Sequence, residues 1–244
     1  MPFGLKTAIG LACATALAGA AQAAEPDITG IWRMVRPAEV VDPIQRTPPI
    51  PPPALTPAYA ERVAAEQKAR KAAEAEGRPF ARDRELCVPD GMPKMMTTDL
   101  VIEILQTPGQ VTLITEFMSQ TRRIRLGAAH PPPEDLQPTF FGDSVGHWEG
   151  DVLVVDTVGF KERTRLFDEV PHSDRMRIGE RFRLIAPDLL EDEITVTDPV
   201  VLEKPWVVRR VFMRRPDLRI NEFVCTENNR NYMDADGRLA TRLP

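Results

Sequence analysis

The chain has 244 residues and a formal net charge of −5. This acidic balance argues against a nucleic-acid-binding protein, because such domains are normally basic. Acidic and basic residues alternate along the chain, so no charged tail points to an anionic membrane surface.

The first residues are typical of a secretory signal peptide. Lys6 is the only charge before an uncharged run over residues 7–20, and Ala21-Gln22-Ala23 supplies the small residues that a signal peptidase requires. The run is too short for a permanent transmembrane helix, and Cys13 lies in the wrong context for lipid attachment. We therefore expect residues 1–23 to be cleaved off, and residues 24–244 to form a single periplasmic or secreted domain.

Cleavage after Ala23 would leave Cys87 and Cys225 as the only cysteines. Two cysteines in an oxidising compartment predict a disulfide, with two unpaired buried thiols as the alternative. A disulfide over this sequence distance would be structural.

The first part of the mature chain contains three contrasting segments. Ile28–Val35, with Gly30 and Trp32, predicts a strand. Residues 37–57 are rich in proline and predict an extended excursion over the surface. Residues 57–76 predict a helix, because Thr56 is a suitable N-cap, Pro57 suits the first helical position, and Ala, Glu, Lys and Arg follow.

From Leu100 onward the hydrophobic pattern has a period of two, which indicates strands. The predicted strands are Leu100–Leu105, Gln110–Phe117, Thr121–Leu126, Val145–Trp148, Asp151–Val158, Arg175–Ile185, Leu190–Asp198, Trp206–Arg214 and Leu218–Cys225. Tight turns between them favour antiparallel pairing. We predict a mainly β fold, an antiparallel meander barrel with one flanking helix and a proline-rich excursion, and a two-sheet sandwich as the alternative.

Charged residues interrupt the apolar faces of the late strands. Glu180 shares a face with Ile178 and Phe182, because alternate residues of a strand point the same way. By the same reasoning Asp192, Arg210 and Glu222 point inward. The four charges predict a polar cluster inside an apolar barrel, which is a common form of small-molecule site. Placement at the barrel rims, or a β-bulge that reverses the facing, is the alternative.

Catalytic motifs are few. Gly142-Asp143-Ser144-Val145-Gly146 matches a serine-hydrolase pattern, but a hairpin follows it where that motif needs a helix. The three histidines lack the spacing of zinc ligands, so no metal site is predicted. No nucleotide or haem motif appears, so no cofactor is predicted. His172, near Asp174 and Glu180 in sequence, is the best placed for proton transfer.

A string of short motifs carries a family resemblance. It begins with Cys87-Val88-Pro89-Asp90-Gly91-Met92-Pro93, and continues with Trp148-Glu149-Gly150-Asp151, Pro171-His172-Ser173-Asp174, Glu180-Arg181-Phe182 and Lys204-Pro205-Trp206. These motifs resemble a group of exported, largely uncharacterised bacterial proteins, a resemblance that implies no activity. It implies histidine where Asp143 stands and arginine where His147 stands, so it favours His130 and His172 as functional histidines. The Gly30-x-Trp32 opening also resembles the first strand of lipocalins, a calycin group.

The leading functional hypothesis is an enzyme that uses acid–base chemistry on a small, partly apolar compound held in the barrel. Its predicted catalytic residues are His172, Glu180 and His130. Its predicted substrate-binding residues are Arg210, Trp148, Asp192 and Glu222. One alternative is a non-catalytic carrier of a small apolar ligand, and another is an envelope interaction protein. None of the three calls for a nucleic-acid partner or for membrane insertion after signal cleavage.

Overall fold

Nine consecutive strands close into a barrel in the computed structural model, which describes residues 25–77, 86–166, 170–227, 229–235 and 239–241. The predicted signal peptide and its cleavage site lie outside these residues. The barrel strands are β1 Gly30–Met34, β2 Val101–Thr107, β3 Gln110–Thr115, β4 Gln120–Leu126, β5 Asp143–Glu149, β6 Val152–Val158, β7 Arg177–Ala186, β8 Leu189–Thr197 and β9 Trp206–Arg214. A separate short hairpin joins β10 Asn231–Met233 and β11 Leu239–Thr241. The predicted barrel is therefore confirmed.

Each strand pairs with the next in sequence, and β9 closes the barrel by pairing with β1. All these pairs are antiparallel except β4 with β5, which run parallel. The antiparallel prediction is wrong at this one pair. Residues 127–142 form a connection long enough to bring the chain back to the end of the barrel where β4 begins, as a parallel pair requires.

The predicted strand Leu218–Cys225 does not form. Because β9 pairs with β1, the closed barrel leaves no free edge for another strand. Residues 218–225 instead run outside the barrel, and Glu222 is exposed. The prediction that Glu222 points into the interior is therefore wrong.

One main helix flanks the barrel. Helix α1 spans Pro57–Ala75 and buries only Val63 among its side chains, as expected for a helix charged on most sides. The short helix α2 spans Lys94–Thr97 and buries Met95 and Met96. No helix in the described ranges is long and apolar enough to cross a membrane.

The proline-rich region is more closely tied to the barrel than predicted. Two short 3₁₀ turns, Pro37–Glu39 and Pro43–Gln45, interrupt it. Residues 43–55, here called the proline segment, run alongside β9. The carbonyl oxygen of Pro48 accepts a hydrogen bond from Arg210 Nη1 at 2.8 Å, and that of Pro51 accepts one from Trp206 Nε1 at 2.7 Å.

The segment that carries the strongest sequence motif seals part of the core. Met92 is buried with Met95 and Met96, and its backbone N–H donates to Phe140 O at 2.9 Å. Just before it, Cys87 forms a disulfide with Cys225 across a Cα–Cα distance of 5.6 Å, which is normal for such bonds. The disulfide ties the segment after β9 to this motif, and its prediction is confirmed.

Candidate functional site

A buried ion pair crosses the barrel interior. Arg122 on β4 donates from Nη1 to Glu180 Oε1 at 2.8 Å and from Nη2 to the other carboxylate oxygen. The same guanidinium donates to Ser144 Oγ at 3.1 Å and to Thr157 Oγ1 at 2.9 Å. Arg122 and Glu180 are therefore paired with each other, and Arg122 also bonds these two hydroxyls, as buried charges require.

A second set of interior polar groups is not satisfied in this way. Asp192 is fully buried, and neither carboxylate oxygen accepts a hydrogen bond from any described residue. Arg210 Nε and Trp148 Nε1 are also buried without a described acceptor. Gln120 Oε1 is the remaining atom of this kind, at the start of β4. Buried polar groups are nearly always hydrogen-bonded, so such a concentration requires an explanation.

Three of these four side chains lie on one register row that runs around the interior. Asp192 is directly opposite Arg210 on β9 and opposite Phe182 on β7. Phe182 is opposite Leu153, which is opposite Trp148 on β5. The row therefore reads Trp148, Leu153, Phe182, Asp192, Arg210, with apolar side chains between the polar ends.

Burial controls the ionisation of the two charged members of this row. Burial, followed by the nearby Glu180 carboxylate, raises the pKa of Asp192 well above its ordinary value, although Arg122 and Arg210 oppose the shift. Burial also lowers the pKa of Arg210 to about 10, against the attraction of Asp192. Both shifts show that the row is a costly place to hold charge.

His172 lies elsewhere, in the wall of an external cavity of about 520 Å³. Its Nδ1 is 2.7 Å from the carbonyl oxygen of Ser173. Its Nε2 is 2.7 Å from Thr164 Oγ1 and 3.0 Å from Lys161 O. Asp174 lines the same cavity, together with Tyr59, Arg62, Pro138, Phe160, Glu162, Arg165, Pro171, Ser173 and Val200.

The structure does not join His172 to Glu180, the partner that the sequence suggested. Glu180 bonds Arg122 inside the barrel, whereas the hydrogen bonds of His172 to described residues go to Lys161, Thr164 and Ser173. The predicted site therefore divides into an interior row and an external cavity.

His130 bridges two carboxylates on the outside of the barrel. Its Nδ1 is 2.6 Å from Asp143 Oδ1, and its Nε2 is 2.8 Å from Asp156 Oδ2. Arg125 donates to Asp143, and Arg177 donates to Asp156. Although burial opposes it, bonding from Arg177 and His130 lowers the pKa of Asp156. These hydrogen bonds tie the connection 127–142 to the barrel wall, and a catalytic role for His130 stays a prediction.

Strand alternation located Glu180, Asp192 and Arg210 in the interior, but Arg122 was missed. The signal was present, because Arg122 shares a strand face with Ile124, which is buried. Ser144 was considered only as a nucleophile, yet it is a buried partner of Arg122 and Thr157. His147 is exposed beside Glu149, and neither contributes to the interior.

Among the described residues, no group of three or more His, Cys, Asp or Glu side chains is arranged to hold a metal ion. No protein-family model matches the chain, and no curated protein matches it. Function must therefore be inferred from the two sites themselves.

Proposed function

We propose that this protein is an exported binding protein that holds a small molecule inside its barrel. The molecule contacts Asp192, Arg210 and Trp148, and the apolar interior forms the rest of its surroundings. This is the carrier hypothesis, with polar contacts added to an apolar pocket. The observation that carries it is the row of buried, unpartnered polar atoms described above.

The energetic argument starts from the cost of this row. An unsatisfied buried polar group costs about 1–3 kcal/mol, and more when it is charged. Asp192 and Arg210 face each other across neighbouring strands, yet their side chains form no ion pair. A bound molecule that hydrogen-bonds both side chains removes the cost, and this gain adds to its affinity.

The surroundings of the row suit a small molecule. Leu153 and Phe182 lie within the row and are fully buried, and Phe212 and Trp32 belong to the same core cluster. Apolar walls with a few convergent polar groups are the usual composition of a ligand pocket.

The proposed route into the interior lies beside the proline segment. The carbonyl oxygens of Pro48 and Pro51 in this segment accept hydrogen bonds from the inward-facing Arg210 and Trp206. Further hydrogen bonds join the segment to β9 and to the loop before it, through Ile44, Arg46, Thr47 and Ala54. Displacing the segment breaks all of these bonds and leaves the barrel strands paired. We propose the proline segment as the part that moves when a ligand enters.

Export rests on the sequence and on the disulfide. The signal peptide pattern predicts a periplasmic or secreted protein, and the Cys87–Cys225 bond fits an oxidising compartment. The resemblance to exported bacterial proteins points the same way and stays a prediction.

The test compares an interior variant with an exterior variant of the same strand. Asp192→Asn removes the buried charge without changing shape, and Glu193→Gln makes the same change on the exposed face. Native mass spectrometry of protein exported to a periplasm should show a small-molecule adduct on wild type and on Glu193→Gln. Asp192→Asn should lose it. A wild-type protein that carries no adduct, even after incubation with a small-molecule extract of the periplasm, would contradict the proposal.

A second candidate function is acid–base catalysis in the external cavity. The observation that favours it is the 2.7 Å contact between His172 Nε2 and Thr164 Oγ1, with Nδ1 fixed by Ser173 O. A histidine whose ring is held in place beside a hydroxyl is suited to proton transfer. Glu180 has no part in this version, and Asp174 is the nearby carboxylate of the cavity.

Para-nitrophenyl acetate is a suitable first substrate for this second candidate. His172→Gln should lower its hydrolysis by about a hundredfold, the size of a general-base contribution. His147→Gln is the control, because His147 is exposed and lies outside the cavity. Equal rates for wild type and both variants would remove the catalytic candidate. The envelope-interaction hypothesis stays a prediction.

A further inference from the structure

We propose that the molecule held in the barrel is electrically neutral and carries a hydroxyl or carboxamide group on an apolar body. This inference rests on the proposed binding function and adds the chemical class of the ligand. It follows from the charges, the donors and the walls of the interior, taken in turn.

The interior charges balance. Among the described strand residues, the buried charged side chains on inward faces are two arginines and two carboxylates: Arg122, Arg210, Glu180 and Asp192. Arg122 and Glu180 neutralise each other directly. In its carboxylate form, Asp192 balances Arg210. A ligand with a net charge would therefore bring an uncompensated charge into a medium of low dielectric constant, at high cost.

The unpartnered atoms demand both a donor and an acceptor. The Asp192 carboxylate only accepts hydrogen bonds, whereas Arg210 Nε and Trp148 Nε1 only donate. A hydroxyl or a carboxamide does both, so one group on the ligand can serve both kinds of atom. An ionised carboxylate on the ligand only accepts hydrogen bonds. It would leave the Asp192 oxygens without a donor, and its negative charge would repel them. An ammonium on the ligand only donates hydrogen bonds, so Arg210 Nε and Trp148 Nε1 would still have no acceptor.

The walls between the polar groups are apolar. Phe182 stands beside Asp192 on the row, and Leu153 lies between Phe182 and Trp148. Burial of an aromatic or aliphatic body against these side chains adds hydrophobic free energy. The polar group then fixes the orientation of the ligand.

The experiment uses four probes that share a phenyl body: benzyl alcohol, benzamide, benzoate and benzylammonium. Their dissociation constants are measured by ligand-observed NMR on the exported, disulfide-bonded protein. Wild type should bind the two neutral probes about tenfold or more tightly than the two charged ones, equivalent to about 1.4 kcal/mol.

Two charge-changing variants should invert this preference in opposite directions. Asp192→Asn leaves one net positive charge in the interior, so benzoate should gain about tenfold. Arg210→Gln leaves one net negative charge, so benzylammonium should gain instead. Glu193→Gln, on the outer face of β8, should behave as wild type.

The outcomes separate the two proposals. If no probe binds wild type, the proposed binding function falls, and this inference falls with it. If benzoate or benzylammonium binds wild type more tightly than the neutral probes, this inference alone falls. Preference for benzoate would also identify the reason, because a protonated Asp192 leaves the same net positive charge as Asp192→Asn.

Discussion

Arg122 and Glu180 lie on strands separated by two others, and their side chains meet in the barrel interior through two hydrogen bonds. Ser144 and Thr157, on the two intervening strands, accept two further hydrogen bonds from the guanidinium. This arrangement links four strands through one side chain. It is a structural element, distinct from the unsatisfied pair Asp192 and Arg210 in the same interior.

Removing one member of this pair should be strongly destabilising. Glu180→Gln leaves the Arg122 charge buried and unpaired, so we expect a loss of about 3–5 kcal/mol in the free energy of unfolding. Urea denaturation followed by circular dichroism measures it. Arg181→Ala, which removes an exposed ion pair from the outer face of β7, should change stability little.

Removing both charges should be better tolerated than removing one. The double variant Arg122→Met with Glu180→Leu removes both members of this pair, so neither is left buried without its partner, and Ser144 and Thr157 still bond each other at 3.0 Å. It should recover most of the stability that Glu180→Gln loses. A double variant no more stable than Glu180→Gln would show that the pair does more than neutralise its own charges.

Gly91 should be required for its backbone and for its lack of a side chain. Its φ of +67° is left-handed, and an added Cβ would lie 2.6 Å from Thr164 Cγ2 and still closer to Phe140 O. We expect Gly91→Ala to cost about 1–2 kcal/mol for the backbone and about 1–3 kcal/mol more for the crowding.

Gly109→Ala is the matched control for this prediction. Gly109 has a similar φ of +75°, but nothing lies within 4 Å of its added Cβ. The difference between the two variants in the free energy of unfolding therefore gives the cost of the close approach to Phe140. Equal costs would mean that the motif around Gly91 does not depend on this packing.

The sequence was sufficient to predict the barrel and, for most strands, which side chains point inward. The reason is that alternation of apolar and polar residues over long strands such as β7 is a strong signal. It failed at Leu218–Cys225, whose alternation is compatible with a strand. Whether a strand forms there depends on a free sheet edge, and the pairing of β9 with β1 removes that edge. Closure is a property of the whole fold and is not written in any single segment.

The candidate site was only partly predictable for a similar reason. Alternation placed Glu180 and Asp192 on inward faces, but it does not say which charge pairs with which. The partner of Glu180 is Arg122, which is 58 residues away in sequence. Because Arg122 pairs with Glu180, it does not bond Asp192, whose carboxylate oxygens have no described hydrogen-bond donor. The site is therefore defined by the pairing of its neighbours.

The disulfide should contribute substantially to stability because it closes a long loop. Cys87 and Cys225 are 138 residues apart, and the chain-entropy relation gives about 5 kcal/mol for a loop of this length. The double variant Cys87→Ser with Cys225→Ser should lose most of this amount in a denaturation experiment. Reduced wild type should behave like the double variant. An unchanged denaturation midpoint in both would mean that the segment after β9 adds little to the fold.

Asp192 should cost stability at neutral pH, as expected of a residue retained for binding. Burial raises its pKa in the folded state, so the folded protein binds this proton more tightly than the unfolded chain does. The stability that this proton linkage contributes is full below the unfolded pKa near 3.8, and it is lost as pH rises through the folded value. Asp192→Asn, which does not ionise, should therefore be more stable than ligand-free wild type at neutral pH. Its advantage should shrink as pH falls toward the unfolded pKa.

Melting temperatures of wild type, Asp192→Asn and Glu193→Gln across this pH range test the sign of the effect of Asp192, since the exposed Glu193 should give no such trend. A wild type that stays more stable than Asp192→Asn at neutral pH would show that the carboxylate has a partner inside the barrel.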